Sequence, residues 1–149
     1  MQVHLPVSGR EQRFPAGPAP VWITDPNGVI RYCNPAFFEV CGYERSELLG
    51  QPQALLRHPD MPEKAFRDMA PTLAAGRPWP AVLKTRRKDG GHCWVTADVT
   101  PLIEGDRTIG WLSVCTEPTP EQIAAAEALH ARLRDDGRAR QLQAAELSG

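Results

Sequence analysis

Apolar and polar residues alternate in short runs along much of this chain, and the runs predict a strand-rich domain. Apolar runs at residues 21–23 and 29–33 flank the sequence Asp25-Pro26-Asn27-Gly28. Proline presets the φ angle early in a turn, and asparagine and glycine tolerate the positive φ that closes a hairpin. The sequence therefore predicts a β-hairpin over residues 21–33.

Two short helices are predicted after the hairpin. Asn34 stands before Pro35, which is the usual arrangement of a helix cap followed by proline in the first turn. We expect a helix over residues 35–41 that ends at Gly42. Residues 44–49 predict a second short helix that ends at a glycine.

A longer helix is predicted over residues 61–75. Asp60 and Glu63 have the spacing of a capping box. Pro71 falls inside this helix and should kink or shorten it. The apolar residues that recur at helical spacing are Phe66, Met69 and Leu73.

The pattern then changes to a period of two, which is typical of strands. Residues 81–86 alternate between two faces, and a turn at residues 88–91 leads into a second alternating run over residues 92–99. After a turn at residues 104–106, residues 108–116 are apolar on both faces. A strand of that kind is expected in the centre of a sheet.

The final helix is predicted to begin at Thr119. Thr119 and Gln122 form a capping box, and Gly137 should follow the last turn. An apolar stripe along this helix needs a partner surface. Its members are Ile123, Ala126, Leu129 and Leu133.

The order of elements predicts an α+β domain: a five-stranded antiparallel sheet with short helices on one face and a C-terminal exiting helix. Residues 1–19 form an irregular N-terminal arm, because they combine several prolines and glycines with no sustained period. The sheet domain covers residues 20–118 and the exiting helix residues 119–137. Residues 138–149 are a polar tail or linker.

Composition excludes several functions. The chain has 17 basic and 18 acidic residues and a net charge of −1, so it lacks the basic surface that nucleic-acid binding requires. No apolar segment approaches the roughly 18 residues needed to cross a bilayer, so no direct membrane insertion is expected. The cysteines are far apart, form no Cys-x-x-Cys and follow no signal peptide, which predicts reduced, buried thiols in a cytoplasmic protein. They are Cys33, Cys41, Cys93 and Cys115.

The most unusual stretch is Arg57-His58-Pro59-Asp60-Met61-Pro62, between the two strand-rich halves. It places an arginine, a histidine and an aspartate within four positions. Arginine can pair with a phosphate, and nearby aromatic side chains can stack on a planar ring. This stretch is therefore the predicted ligand site.

Several motifs between Val21 and Arg134 belong together: Asn34, Cys41-Gly42-Tyr43, Glu47-Leu48-Leu49-Gly50-Gln51-Pro52, Arg57-His58-Pro59-Asp60-Met61-Pro62, Pro78-Trp79, Arg86-Arg87-Lys88-Asp89-Gly90 and Glu121-Gln122-Ile123-Ala124-Ala125. Together they resemble PAS domains, and within them the FAD-binding sensory domains of aerotaxis receptors. The Arg-His-Pro-Asp-Met-Pro run and Pro-Trp are the most specific of these motifs.

The resemblance implies a redox or oxygen sensor that binds FAD non-covalently and passes the flavin redox state to a signalling partner, such as a chemotaxis receptor. The partner would be a signalling domain or receptor protein, and a homodimer is also allowed. No catalysis is implied. The positions that match the family's cofactor site are Arg57, His58, Asp60 and Trp79, with weaker matches at Asn34, Phe66 and Thr85.

The sequence departs from the family pattern at three places. Thr85 stands where the family typically has asparagine, so one ring contact could be shorter or lost. Ala70-Pro71 replaces a bulkier pair in the predicted long helix. Pro80-Ala81 follows Trp79 where small, polar or flexible residues are usual, which stiffens the entry to that strand.

Other functions remain open at this stage. His58 could bind haem in a gas sensor, although no second ligand stands at a suitable spacing. A light sensor with a covalently trapped flavin needs a cysteine within Ala54-Leu55-Leu56-Arg57-His58, and none is there. A cofactor-free PAS module could instead act by dimerising through its arm or final helix. No nucleophile triad, carboxylate pair or phosphate loop indicates an enzyme.

Overall fold

A computed structural model describes the backbone of residues 5–148 and the side chains of residues 5–138. Its strands form one antiparallel sheet in the order β2-β1-β5-β4-β3. The sheet and the central position of β5 are as predicted, since β5 pairs with β1 on one side and with β4 on the other. The strands are β1 (Val21–Thr24), β2 (Ile30–Cys33), β3 (Trp79–Arg86), β4 (His92–Glu104) and β5 (Arg107–Thr116).

The pairing of β3 with β4 shows which of their residues lie on the inner face of the sheet and which lie on the outer face. Leu83 lies opposite Val95, and Thr85 lies opposite Cys93. Successive side chains point to opposite faces, so these residues share the inner face with the core. Pro80 lies opposite Asp98 on the outer face, in a strand that forms one edge of the sheet.

Short helical elements cover the inner face of the sheet. The core between the two layers contains side chains with 0 to 1% exposure, such as Phe37, Val40, Leu48, Leu73 and Val95. The covering elements are α1 (Pro35–Cys41), α2 (Arg45–Leu48), α3 (Met69–Ala74) and two 3₁₀ turns, Gln53–Leu56 and Glu63–Phe66.

The predicted long helix over residues 61–75 is wrong. The structure has the Glu63–Phe66 turn and then α3, and the residue that precedes the turn is Pro62. Asp60 caps no helix here and instead pairs with Lys84. Pro71 lies in the first turn of α3, where its missing N–H removes no hydrogen bond. Two prolines thus divide the predicted helix into short pieces.

Asn34 connects three parts of the fold. Its Oδ1 accepts hydrogen bonds from the backbone N–H of Phe37 at 3.1 Å and of Val21 at 2.9 Å. Its Nδ2 donates to the carbonyl of Ala19 at 2.8 Å. The predicted cap of α1 is confirmed, and the same side chain also fixes β1 to the start of the helix.

The N-terminal arm, as far as the structure describes it, folds back along the start of β4. Ser8 N donates to Gly90 O at 2.8 Å, His92 N to Arg10 O at 2.9 Å, and Gln12 N to His92 O at 2.7 Å. A Cβ added at Gly90 would lie 1.9 Å from the Pro6 carbonyl oxygen, so only glycine allows this approach. Residues 1–4 of the predicted arm lie outside the described residues.

The final helix, α4 (Pro120–Ser148), begins with the predicted capping box. Thr119 N donates to Gln122 Oε1 at 2.8 Å, and Gln122 N donates to Thr119 Oγ1 at 3.1 Å. Helical backbone continues through Gly137, so the predicted end at that residue is not observed. No helix in the described part of the chain is long and apolar enough to cross a bilayer.

One side of α4 packs on the sheet. Ala126 is 8% exposed and His130 is 5% exposed, whereas Leu129 is 45% exposed. The predicted stripe therefore packs on the domain at Ala126, whereas Leu129 is partly exposed to solvent. The buried histidine on this face was not part of the predicted stripe.

We predict that Asn34→Ala lowers the free energy of unfolding by about 2 kcal/mol, because it removes a helix cap and two further hydrogen bonds. Urea denaturation would measure the change. The control is Asn27→Ala, which changes an exposed side chain in the β1–β2 turn and should cost much less. Equal effects of both variants would show that the Asn34 hydrogen bonds do not stabilise the fold.

Candidate functional site

A cavity of about 70 Å³ lies between the inner face of the sheet and the helical layer. Most of its wall is aliphatic and aromatic, which is typical of sites for planar organic ligands. The residues that line it are Trp22, Phe37, Gln53, Ala54, Leu56, Arg57, Met61, Phe66, Met69, Trp79, Leu83, Lys84, Thr85, Val99, Trp111 and Ser113.

Three of the predicted site residues meet at the edge of this cavity. The guanidinium carbon of Arg57 lies 4.1 Å from the centre of the Phe66 ring. The rings of Phe66 and Trp79 are 6.1 Å apart at 34°. A cation and two aromatic faces are thus adjacent, and together they could contact a charged group and a ring of the same ligand.

Thr85 is the fourth predicted residue in the cavity wall. It is 5% exposed, and its backbone pairs with that of Arg57 in an antiparallel bridge. The bridge holds the chain after the Gln53–Leu56 turn against the edge of β3. Residues that face each other in such a pair share one face of the sheet, so Arg57 lies on the cavity side.

Asn34, His58 and Asp60 do not line the cavity. Asn34 is engaged in the backbone of β1 and α1. His58 follows Arg57, so the alternation along an extended backbone turns it to the outer face. Asp60 forms an ion pair with Lys84 at 2.9 Å. Direct cofactor contact by these three residues stays a prediction from resemblance, and the cavity geometry gives it no support.

Two tryptophans in the wall, Trp22 and Trp111, were not among the site residues predicted from sequence. Trp22 of β1 lies opposite Ser113 of β5, and Trp111 of β5 lies opposite Thr24. The strand alternation places both on the inner face, and that pattern could have identified them. The missing information was the neighbourhood of β1 and β5, which are far apart in sequence.

The cavity has few polar groups. The indole nitrogen of Trp22 is buried and has no hydrogen-bond partner within the described structure. The hydroxyl-bearing residues Thr85 and Ser113 are 5% and 2% exposed. Buried polar atoms normally have partners, so the Trp22 N–H is available to a ligand acceptor. These few hydrogen-bonding groups in an apolar wall fit a planar ring with apolar faces and a polar edge.

The enclosed space is small for such a ring. Pockets for cofactor-sized ligands hold roughly 300 to 1,000 Å³, against about 70 Å³ here. Met61 and Met69 line the wall, and unbranched methionine side chains repack easily. The same wall consists of 3₁₀ turns and the six-residue α3. Ring binding therefore requires the helical wall to move outward.

The cysteines do not take part in this site. Burial raises the pKa of Cys33 to about 12 and those of Cys41 and Cys93 to about 11, and it raises the pKa of Cys115 further. All four are buried and unpaired, as predicted. None is among the cavity residues that the structure describes, so the cavity has no thiol for a covalent bond to a ligand.

Three buried histidines, together called the histidine cluster, lie on the outer side of the sheet: His58 in the segment after the Gln53–Leu56 turn, His92 in β4 and His130 in α4. Their exposures are 2%, 9% and 5%. The rings of His58 and His92 are 5.9 Å apart and nearly perpendicular. His130 stacks on Trp94 at 6.2 Å and 6°. No group of histidine, cysteine and carboxylate side chains among the described residues is arranged to hold a metal ion.

Burial keeps the histidine cluster uncharged. Burial and, to a smaller extent, Lys84 lower the pKa of His58 to about 4, while Asp60 opposes the change. Burial also lowers the pKa values of His92 and His130. The charged groups that face the cluster come from β3, from the arm, from α4 and from the chain after Arg57. They are Lys84, Arg86, Glu11, Glu127, Arg134 and Asp60.

The fold and the cavity place the protein among PAS-type domains, with a sheet and a helical layer around an inner ligand cavity. A family model described as PAS fold matches residues 14–117. The chain belongs to the PAS family.

Among individual proteins, the chain is 44% identical to the aerotaxis receptor of Escherichia coli K12 over 110 residues, which is 74% of this chain and 22% of the receptor. It is 37% identical to the nitrogen fixation regulatory protein of Klebsiella oxytoca over 81 residues, 54% of this chain and 16% of that protein. It thus spans a minor part of these relatives.

A similar solved structure is a light-oxygen-voltage domain studied with a flavin analogue. The TM-score is 0.64 and the identity is 25%, over 79% of this chain and 88% of that chain. The chain is therefore a PAS domain of the same general type as light-oxygen-voltage domains.

We predict that the protein loses stability as the pH falls from 6.5 toward 4. The folded-state pKa of His58 is lowered from 6.5 to about 4. Its stabilising effect is complete above pH 6.5 and is lost as the pH falls toward 4, because the unfolded chain binds the proton first. Between pH 6.5 and 5, His58 alone should account for about 1.5 kcal/mol. Urea denaturation across this range measures the loss.

His58→Asn is the matched test of that prediction, because asparagine is polar but does not titrate. Its free energy of unfolding should depend less on pH between 6.5 and 5 than that of the parent protein. The lowered pKa values of Asp25, Glu47 and Asp60 keep these carboxylates ionised in this range. The same pH dependence in both proteins would contradict the assignment.

Proposed function

We propose that this PAS domain binds FAD non-covalently and reports the redox state of the flavin to a signalling partner. The observation that carries the proposal is the group of Arg57, Phe66 and Trp79 at the edge of an aromatic cavity. The 44% identity to the aerotaxis receptor over 74% of this chain supports it. The similar light-oxygen-voltage domain was studied with a flavin analogue, which supports a flavin as the ligand class.

The cavity residues have distinct roles in this proposal. Phe66 and Trp79 offer aromatic faces for a ring, and their edge-of-cavity position lets them cover it from solvent. Arg57 is exposed and is the cation nearest to these rings, so it suits the phosphates of a dinucleotide. The remaining wall supplies apolar contacts to the ring faces.

The polar edge of the ring would meet the few hydrogen-bonding groups inside. Flavin supplies a ring that takes up and releases electrons together with protons at this edge. The Trp22 N–H can only donate, whereas the hydroxyls of Thr85 and Ser113 can donate or accept. If the ligand edge changes from hydrogen-bond acceptor to donor, the Thr85 and Ser113 hydroxyls would rotate to accept its hydrogen. A hydrogen bond from the Trp22 N–H to the same edge would be weakened.

The output is proposed to pass to another signalling domain or protein. The relatives are a receptor and a regulator, and this chain spans 22% and 16% of their lengths. The described lining of the cavity between sheet and helices holds no nucleophile paired with a base, which suits a reporting role better than catalysis. The signal would leave through α4, which packs on the sheet and continues beyond the PAS core.

A second candidate is a cofactor-free PAS interaction module. The cavity volume of about 70 Å³ favours it, because such a space holds water and not a ring system. A haem sensor is less well supported. His58 is the residue that the sequence offered as a haem ligand, and it lies outside the cavity lining.

The purified protein should show the two-band spectrum of oxidised flavin, and dithionite should bleach it. Heat denaturation should release FAD and not FMN, and chromatography of the supernatant distinguishes the two. A Soret band would favour haem. A colourless protein that also binds no added FAD would leave the interaction module as the function.

We predict that Trp79→Leu weakens FAD binding by about tenfold, since an aromatic contact contributes about 0.5 to 1.5 kcal/mol beyond its area. Titration of the stripped protein with FAD, followed by flavin fluorescence, measures the affinity. Tyr32→Leu is the control, because it removes an aromatic ring that is 45% exposed on β2. If both variants bind FAD as the parent does, Trp79 is not a cofactor contact.

A further inference from the structure

The segment of residues 57–61 contacts both the cavity and the final helix. Arg57 and Met61, at its ends, line the cavity. Between them, the carbonyl of Asp60 accepts a hydrogen bond from the Arg134 guanidinium of α4. The contact with the helix that leaves the domain is thus three positions from Arg57 and one position from Met61.

This segment is held firmly on its other side. The carboxylate of Asp60 pairs with Lys84 of β3 at 2.9 Å, and its backbone N–H donates to His58 Nδ1 at 3.0 Å. His58 is buried, with its ring against His92. These contacts tie the position of the Asp60 carbonyl to that of the segment that carries Arg57.

We propose that Asp60 and Arg134 are positioning residues that couple the cavity to α4. The proposal rests on the proposed function, because coupling needs a cavity whose state changes. It assigns the polar residues of the Arg-His-Pro-Asp-Met-Pro run to two tasks. Arg57 faces the ligand, and His58 and Asp60 connect the ligand wall to the helix.

The geometry gives this coupling a physical basis. A change in one site shifts another only if the contacts between them differ in the two states. The cavity must widen for a ring to enter, and Met61 lines both the cavity and the groove next to Ala126 on α4. Outward movement of this wall changes the distance between the Asp60 carbonyl and Arg134.

The first measurement is hydrogen exchange of the α4 amides over residues 123–131, with no cofactor added. Arg134→Ala should speed their exchange by about tenfold, because it removes a hydrogen bond to a charged donor. Arg134→Lys should restore part of the protection. Arg132→Ala is the control, since Arg132 is exposed on the same helix. Equal exchange in Arg134→Ala and Arg132→Ala would overturn the proposal.

The second measurement separates coupling from simple support of the helix. Arg57→Ala alters the cavity edge without touching α4, and it should speed α4 exchange in the parent protein. In the Arg134→Ala background the same change should have no further effect. If the two effects simply add, the residues act independently and the proposal is wrong.

This test is independent of the proposed function. FAD binding by the same variants is measured separately, by fluorescence titration. If neither the parent protein nor any variant binds FAD, the flavin function is refuted. The exchange result would still decide whether the cavity and α4 are coupled. Exchange that is non-additive for Arg57 and Arg134 would support coupling whichever ligand occupies the cavity.

Discussion

The backbone pairing between Arg57 and Thr85 determines how the ligand-facing half of this domain is organised. It attaches an irregular segment to the edge of β3, and an extended backbone alternates its side chains between two faces. Arg57 therefore lies on the cavity side, and His58 lies on the side of α4. Adjacent residues of one short motif consequently serve different surfaces. A one-residue slip in this pairing would exchange their positions.

Local sequence signals predicted the hairpin, the cap at Asn34, the alternation in β3 and β4, and the central position of β5, because each depends on neighbouring residues. The single long helix predicted over residues 61–75 is not observed, because Pro62 and Pro71 interrupt a segment whose apolar residues recur at helical spacing. The cavity was predicted in part. Arg57 and Trp79 belong to recognisable motifs, whereas Trp22 and Trp111 reach the cavity only through strand pairing over almost ninety positions.

The placement of His58 and Asp60 shows the limit of a motif as a guide to contacts. Both lie beside Arg57 in sequence, and family resemblance groups all three as one ligand set. The face on which each residue lies depends on the register at the edge of β3, which no local pattern specifies. Residues of such a motif can also affect ligand binding indirectly, because the cavity wall and its support are one continuous segment.

Pro80 in β3 has a consequence for self-association. β3 forms one edge of the sheet, and an edge strand normally offers free N–H groups to a strand of another molecule. Proline has no N–H to offer. The edge is further occupied by the Arg57–Thr85 bridge. Pro80 and this bridge therefore disfavour pairing of β3 with a strand of another copy. A dimer that avoids this edge would form through helices, through sheet faces or through the opposite edge at β2.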